Sequence, residues 1–175
     1  MELAFSIAGM EDAAELAALQ QAAADELTRR FGQGAWSRSS SEREIVASMR
    51  MPGFSKKLIA RSGGQIAGTL RLATKKPWAI DASYFTPVAR PLYLVGMAVH
   101  PRHQGKGVGR ALMEQAVVMA RAWPGDAIRL DAWDATAGAG GFYEKCGFRM
   151  AGHAEYRGAQ LVYFERVLAG LIDRS

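Results

Sequence analysis

The stretch "LYLVGMAVHPRHQGKGVGRALMEQAVVMARAW" (92–123) restricts the fold more than any other part of the chain. Leu92–His100 is almost wholly apolar, the pattern of a central strand covered on both faces. Gly96 interrupts it and reads as a bulge or a point of close approach by a ligand. Gly105, Gly107 and Gly109 then alternate with Lys106 and Val108. From Gly107 to Ala122 the period is helical, with Val108, Leu112, Ala116 and Met119 on one face and Trp123 extending the stripe. Trp123-Pro124-Gly125 stops the helix. A buried strand, a glycine loop and an amphipathic helix in that order belong to an α/β fold.

The rest of the chain continues the alternation. "LAFSIAG" (3–9) reads as a strand. Residues 10–31 are rich in Ala, Glu, Leu and Gln, good helix formers, with Leu16, Leu19, Ala23 and Leu27 on one face. Gly32 and Gly34 break this helix. "SEREIVASMRM" (41–51) is a short helix, with Ser41 and Glu44 spaced as a capping box and Pro52-Gly53 as the stop. Residues 56–74 form a hairpin around Ser62-Gly63-Gly64. Residues 75–91, with three prolines and three aromatics, form a long loop or an irregular strand extension. "AIRLDAW" (127–133) alternates as a strand, and 137–147 is a short helical segment ended by Gly147. "FRMAGHAEY" (148–156) and "QLVYFERVL" (160–168) are closing strands joined at Arg157-Gly158-Ala159. The expected architecture is one domain over 1–175: a mixed sheet of six to seven strands with about four helices.

The glycine segment carries the chemistry. The first amides of a helix have no partner inside it, and the helix dipole favours an anion there. Glycines let backbone approach phosphate oxygens without an intervening Cβ. Lys106 and Arg110 add charge, and Gln104 and Arg102 add donors. The Walker pattern G-x-x-x-x-G-K-[ST] is absent, and the dinucleotide fingerprint G-x-G-x-x-G is not matched. On spacing alone, a phosphate cradle and a turn that merely starts a helix both stand.

Two neighbouring segments bear on that choice. Gln104-Gly105-Lys106-Gly107-Val108-Gly109 resembles the Gln/Arg-x-x-Gly-x-Gly/Ala signature of the GCN5-related N-acetyltransferases (GNAT). "GFYEKCGF" (141–148) resembles that family's second marker, an aromatic-Tyr-Glu-Lys-x-Gly-Phe segment. The resemblance covers 92–168; over 1–91 only the order of elements agrees. It implies a GNAT-like sheet whose central parallel strands, 92–99 and 127–133, splay apart to admit acetyl-CoA. The pyrophosphate would sit on amides of Gly105, Gly107, Val108, Gly109 and Arg110, with Gln104 and Lys106 beside it. The pantetheine arm would pair with backbone at Met97, Ala98 and Val99.

The resemblance further implies direct acyl transfer to an amine in a ternary complex, with Tyr143 as the acid that protonates or hydrogen-bonds the leaving sulfur. General acid help of this kind contributes roughly 10²–10⁴-fold. Phe142 flanks the coenzyme site. Thr136 stands seven residues before the tyrosine, where many members carry asparagine on the pantetheine arm. Strand 92–99 has no Asp or Glu, so the general base stays open among Asp131, Asp134, Glu155, Tyr93 and His100. Asp131 is expected to face the surface of its strand. Cys146 is read as helix packing.

His100, His103 and His153 lack metal-ligand spacing and the single cysteine excludes a cysteine-rich site, so no metal is expected. Phe31, Trp36, Trp78, Tyr84 and Phe85 either line the acceptor pocket or cover the core edge. The acceptor is a small-molecule or peptide amine, and a homodimer is open. Two rival readings remain: a non-catalytic acyl-CoA-binding regulator, and a nucleic-acid module resting on the formal charge of +5. No long basic run supports the second. No apolar run reaches the roughly 20 residues of a membrane span, and the N-terminus does not read as a signal peptide, so the expectation is a cytoplasmic protein that engages neither membrane nor nucleic acid.

Overall fold

The computed structural model describes residues 1–51 and 53–168. Pro52 and residues 169–175 of the expected domain lie outside them. Seven strands and four α-helices follow one another: β1 (Ala4–Ile7), α1 (Ala13–Phe31), α2 (Glu42–Met49), β2 (Ser55–Ser62), β3 (Gln65–Ala73), β4 (Pro91–Val99), α3 (Val108–Ala122), β5 (Ala127–Trp133), α4 (Gly140–Lys145), β6 (Arg149–Tyr156) and β7 (Ala159–Val167). The strands form one mixed sheet in the order β1-β2-β3-β4-β5-β7-β6. The β4–β5 pair is parallel. The chain groups into two compact units, Met1–Leu72 with Val95–Ala116, and Ala73–Leu94 with residues from Val117 on.

In the first unit, a short 3₁₀ turn at Met10–Asp12 precedes α1, so the α-helix starts three residues later than its composition suggests. Leu16, Leu19 and Ala24 are buried; Ala23 and Leu27 are only half-buried. The buried stripe is therefore narrower than the expected one and displaced by one residue at Ala24. Leu16 and Leu19 pack with Ala13, Ile45, Ile59 and Ile66 in one cluster. The capping box of α2 is formed: the Glu44 amide donates to the Ser41 hydroxyl at 3.3 Å and the Ser41 amide to the Glu44 carboxylate at 2.8 Å. Such a cap is worth about 1 kcal/mol. The hairpin turns at Gly63 and Gly64, both left-handed, as a tight hairpin requires. Arg61 ties β2 to α1 through Asp12 and Glu15.

In the second unit, β5 pairs with β7 along its whole length, Ala127 opposite Val167 through Trp133 opposite Leu161. Its parallel pairing with β4 is shorter: Pro91–Ala127, Leu92–Ile128 and Tyr93–Arg129. Leu92, Tyr93 and Leu94 are buried, while Val95 to Val99 are half-buried or exposed. This corrects the expectation of a strand covered throughout. The loop 75–90 lies over β7: the Tyr163 hydroxyl donates to the Ala79 carbonyl and accepts from the Asp81 amide at 3.2 Å. Ile80, Phe85, Tyr93, Leu161 and Tyr163 form the core there.

Candidate functional site

Ten of the residues expected to hold the coenzyme fall in the first unit. The chain leaves β4 at Val99, makes a 3₁₀ turn at Pro101–His103, and enters α3 at Val108. The His100 ring nitrogen Nδ1 accepts from the Arg102 amide at 3.2 Å, and the His103 amide donates to the His100 carbonyl at 2.8 Å. The Gln104 side chain donates to the Val99 carbonyl at 3.2 Å, so it braces the loop against its strand. The alternating glycines divide the work. Gly105 and Gly107 adopt φ of +72° and +84°, and a Cβ at either would meet nothing within 4 Å. Gly109 lies in the first helical turn. The Ala111 amide closes that turn onto the Gly107 carbonyl at 3.0 Å. Amides before Ala111 point out of the helix end without a partner in it.

Lys106 and Arg110 are exposed beside these amides, and Arg110 also pairs with Glu114 at 3.4 Å. Met97, Ala98 and Val99 are half-buried on β4, one residue past Gly96, whose φ is +63°. Val108, Leu112 and Ala116 anchor the helix by burial. The loop is thus a held turn with an open mouth.

Tyr143, Phe142 and Thr136 fall in the second unit. Tyr143 is buried on α4, its ring against Phe142, Phe148 and Phe164 with centroids 5.3, 6.0 and 5.9 Å away. Burial first, then the charges of Asp131 and Cys146, push its hydroxyl above the ordinary tyrosine value. The buried hydroxyl is therefore held in its neutral form, with a proton to donate. Thr136 is exposed in the turn after β5. Gly138 in that turn is obligatory, since a Cβ there would stand 1.9 Å from the Trp133 carbonyl oxygen. Gly138, Gly140 and Gly141 border a cavity of about 270 Å³ that also touches Asp134, Glu144 and His153. Cys146 caps α4, and its carbonyl accepts from Arg166 at 2.9 Å.

The family model described as the acetyltransferase (GNAT) family matches residues 18–148. The chain belongs to the GNAT family of acetyltransferases. The sheet agrees with that assignment. Solved structures of similar fold include yncA of Salmonella typhimurium with its cofactor acetyl-CoA, at TM-score 0.70 and 18% identity over 96% of this chain and 95% of that one. The PaiA N-acetyltransferase of Thermoplasma acidophilum in complex with coenzyme A matches at TM-score 0.71 and 15% identity, over 95% and 99%. The ribosomal-protein-S18-alanine N-acetyltransferase of Escherichia coli matches at 0.69 and 17%, over 95% and 94%. No curated protein matches the chain by sequence.

The five candidate bases of this acetyltransferase now separate. Tyr93 is buried, with Arg129 donating to its hydroxyl at 3.4 Å. Asp134 is bonded to the His153 ring at 2.9 Å. Glu155 is exposed and accepts from Gln160 at 3.0 Å. His100 holds the Arg102 amide, and burial, Arg102 and His103 all lower its pKa. Asp131 is half-buried rather than on the surface, on the same face of the sheet as its partner Tyr163. Burial pushes its carboxyl above the ordinary value.

Other charged residues escaped the sequence reading. Arg129 and Glu165 are both buried and stand 3.6 Å apart; Arg149 and the Thr86 hydroxyl also bind Glu165. Arg129 donates to the Thr86 carbonyl at 2.7 Å and lies over the Phe85 ring at 5.0 Å. Phe85 is core, whereas Trp78 is 83% exposed and Tyr84 partly so. Phe31 and Trp36 are half-buried; Arg30 lies over the first, and the indole of the second donates to the Gly32 carbonyl at 2.9 Å. Among the described residues no group of three or more His, Cys, Asp or Glu is placed to hold a metal ion. No described helix is long and apolar enough to cross a membrane.

Proposed function

We propose that this acetyltransferase binds acetyl-CoA on the loop Gln104–Arg110 and transfers its acetyl group directly to the amine of a small molecule or peptide in the cytoplasm. The observation that carries the reading is the pair of left-handed glycines, Gly105 and Gly107, emptying onto the start of the fifteen-residue helix α3. That geometry fits a pyrophosphate: open space at each Cα, unpartnered amides, a favourable dipole and two exposed cations. Acetyl-CoA supplies the activated thioester. Backbone at Met97, Ala98 and Val99 would pair with its amide-bearing arm, as a strand pairs with a free edge.

Tyr143 then holds its proton for the leaving sulfur. Its buried ring fixes the hydroxyl, and its raised pKa keeps it neutral, so that it supports the developing thiolate by donating a hydrogen bond. The two compact units are read as parts of one N-acetyltransferase domain, because β4 runs without a break from one into the other.

The test is calorimetry with acetyl-CoA followed by release of free thiol across a panel of primary amines. Binding together with amine-dependent thiol release is expected. Binding without turnover on any amine, unchanged in Tyr143→Phe, would instead favour a non-catalytic acyl-CoA-binding role.

A further inference from the structure

We infer that the acceptor is a short amine that also carries an anionic group, a carboxylate or a phosphate, held by Arg71 and Lys57 under α1 while its nitrogen stands at Gly96. The inference rests on the acetyltransferase reading above. Every residue it uses belongs to the first unit.

The place of the nitrogen follows from β4. With pyrophosphate on the loop Gln104–Arg110 and the arm along Val99, Ala98 and Met97, the acyl end next reaches Gly96. That residue is exposed, with φ +63°. A Cβ there would meet only the Gln20 side-chain nitrogen, 3.9 Å away. Gly96 therefore forms an open notch facing α1. Its neighbour on the same face, Ala98, packs against the α1 cluster. Gln20 is half-buried, and its amide has no hydrogen-bond partner among the described residues. Its oxygen is free to accept from an amine.

The place of the anion follows from β3. The His100 amide donates to the Ala67 carbonyl at 2.9 Å, and the Cβ position of Gly68 stands 3.2 Å from the Ala98 carbonyl oxygen. β3 and β4 are thus antiparallel, and counting four residues along each strand from Ala67 and His100 brings Arg71 level with Gly96. Lys57 shares a face of β2 with Ile59, which packs on Leu16 and Leu19 of α1. Lys57 is buried and Arg71 half-buried, and the arginine's charge acts on the lysine. No carboxylate among the described residues pairs with either. The acids of the facing helices are engaged: Asp12 and Glu15 by Arg61, Asp25 by Gln21, Glu44 by Ser41 and Arg38.

Two desolvated cations side by side repel each other, and an anion between them removes that cost. A guanidinium holds a carboxylate or phosphate through two parallel hydrogen bonds. Neighbouring strands lie about 4.8 Å apart, so the amine and its anionic group are a few bonds apart. The transfer itself is unchanged. The nitrogen lone pair bonds the acetyl carbon, the carbon–sulfur pair leaves with sulfur, and the proton lost from nitrogen balances the one gained by sulfur.

The experiment pairs amines that differ in the anionic group: glycine with glycinamide, β-alanine with its amide, and O-phosphoethanolamine with ethanolamine. Thiol release gives kcat/KM for each, and titration calorimetry on the coenzyme A complex gives binding. The anionic member should be favoured roughly ten- to hundredfold, and the carboxylate and phosphate arms identify the anion. Arg71→Gln should erase the preference, chiefly through KM, yet bind acetyl-CoA as wild type does; Arg71→Lys should keep part of it. In wild type the bound anion should raise the Lys57 pKa from about 8, read by NMR of its side chain. Anionic and neutral members within twofold of each other, or a preference that survives Arg71→Gln, overturn the inference and leave acetyl transfer intact. Thiol release from no pair, with no anion bound, overturns it as well. A wild type that binds no acetyl-CoA overturns the acetyltransferase reading, and this one with it.

Discussion

Replacing Gly107 by alanine separates two roles that the same backbone angle serves. At φ +84° an L side chain is strained, and the left-handed region costs a non-glycine residue roughly 1–2 kcal/mol. No atom lies within 4 Å of the added Cβ, so strain is the whole folding penalty. For a chain of this length that corresponds to a melting temperature lower by roughly 2–8 °C. Gly63→Ala is the matched control. Its φ is +57°, its Cβ also meets nothing within 4 Å, and it sits in the β2–β3 turn. The two variants should lose similar stability. They should differ in coenzyme affinity, because only at Gly107 does the new methyl stand in the mouth of the proposed cradle. Losing a hydrogen bond to a charged phosphate costs about 1.5–3 kcal/mol, roughly a ten- to hundredfold weaker Kd. Scanning calorimetry gives the first quantity and titration calorimetry with acetyl-CoA the second. Equal melting shifts with Gly107→Ala still within twofold of wild-type affinity would refute the cradle.

Three further outcomes are expected. Tyr143→Phe keeps the ring packing on Phe142, Phe148 and Phe164, so kcat should fall by roughly 10²–10⁴ with little change in acetyl-CoA affinity, and equal losses in both would assign the residue to packing. Lys57 is buried with its pKa pushed down to about 8 from 10.5, chiefly by burial and secondarily by Arg71. Between those values the unfolded chain holds the proton and the folded chain does not, so stability should rise with pH across that window by roughly 3 kcal/mol. Urea titrations of Lys57→Met should lack this rise, and an equal rise in both proteins would exclude Lys57 as its source. Gly138→Ala drives a methyl against the Trp133 carbonyl oxygen, and a stability loss of about 1–3 kcal/mol in denaturant titration is expected; a neutral result would mean that the turn relaxes freely.

The elements read from sequence are those whose signals are local. The Ser41–Glu44 box lies within one turn, and the hairpin glycines lie between the strands they join. The loop proposed as a cradle was legible as a turn for the same reason: strand, glycines and helix follow one another in about thirty residues, and backbone geometry alone fixes what the loop offers. The charges of the second unit were not legible. Arg129 meets Glu165, and Glu165 meets Thr86, across 36 and 79 residues of sequence, and nothing in the spacing signals these contacts. In a two-period strand an arginine reads as solvent-facing; here it is buried because Tyr93, Thr86 and Glu165, from three other segments, converge on its guanidinium. The exposure of Asp131 depends on the same convergence, which is why an alternating pattern placed it on the surface.

The apolar run 92–100 failed in a more informative way. Periodicity says that such a strand must be covered but not by what. Leu92–Leu94 are covered by protein; Val95, Met97, Ala98 and Val99 are apolar yet only half-buried, and the registered pairing with β5 ends at Tyr93. Apolar surface left partly open on an ordered central strand costs about 25 cal/mol for each Å² that a ligand would otherwise bury. Sequence rules break most often where structure is kept for function. The half of β4 that departs from its own pattern is the half where the proposed pantetheine arm supplies both the missing cover and the missing backbone partners.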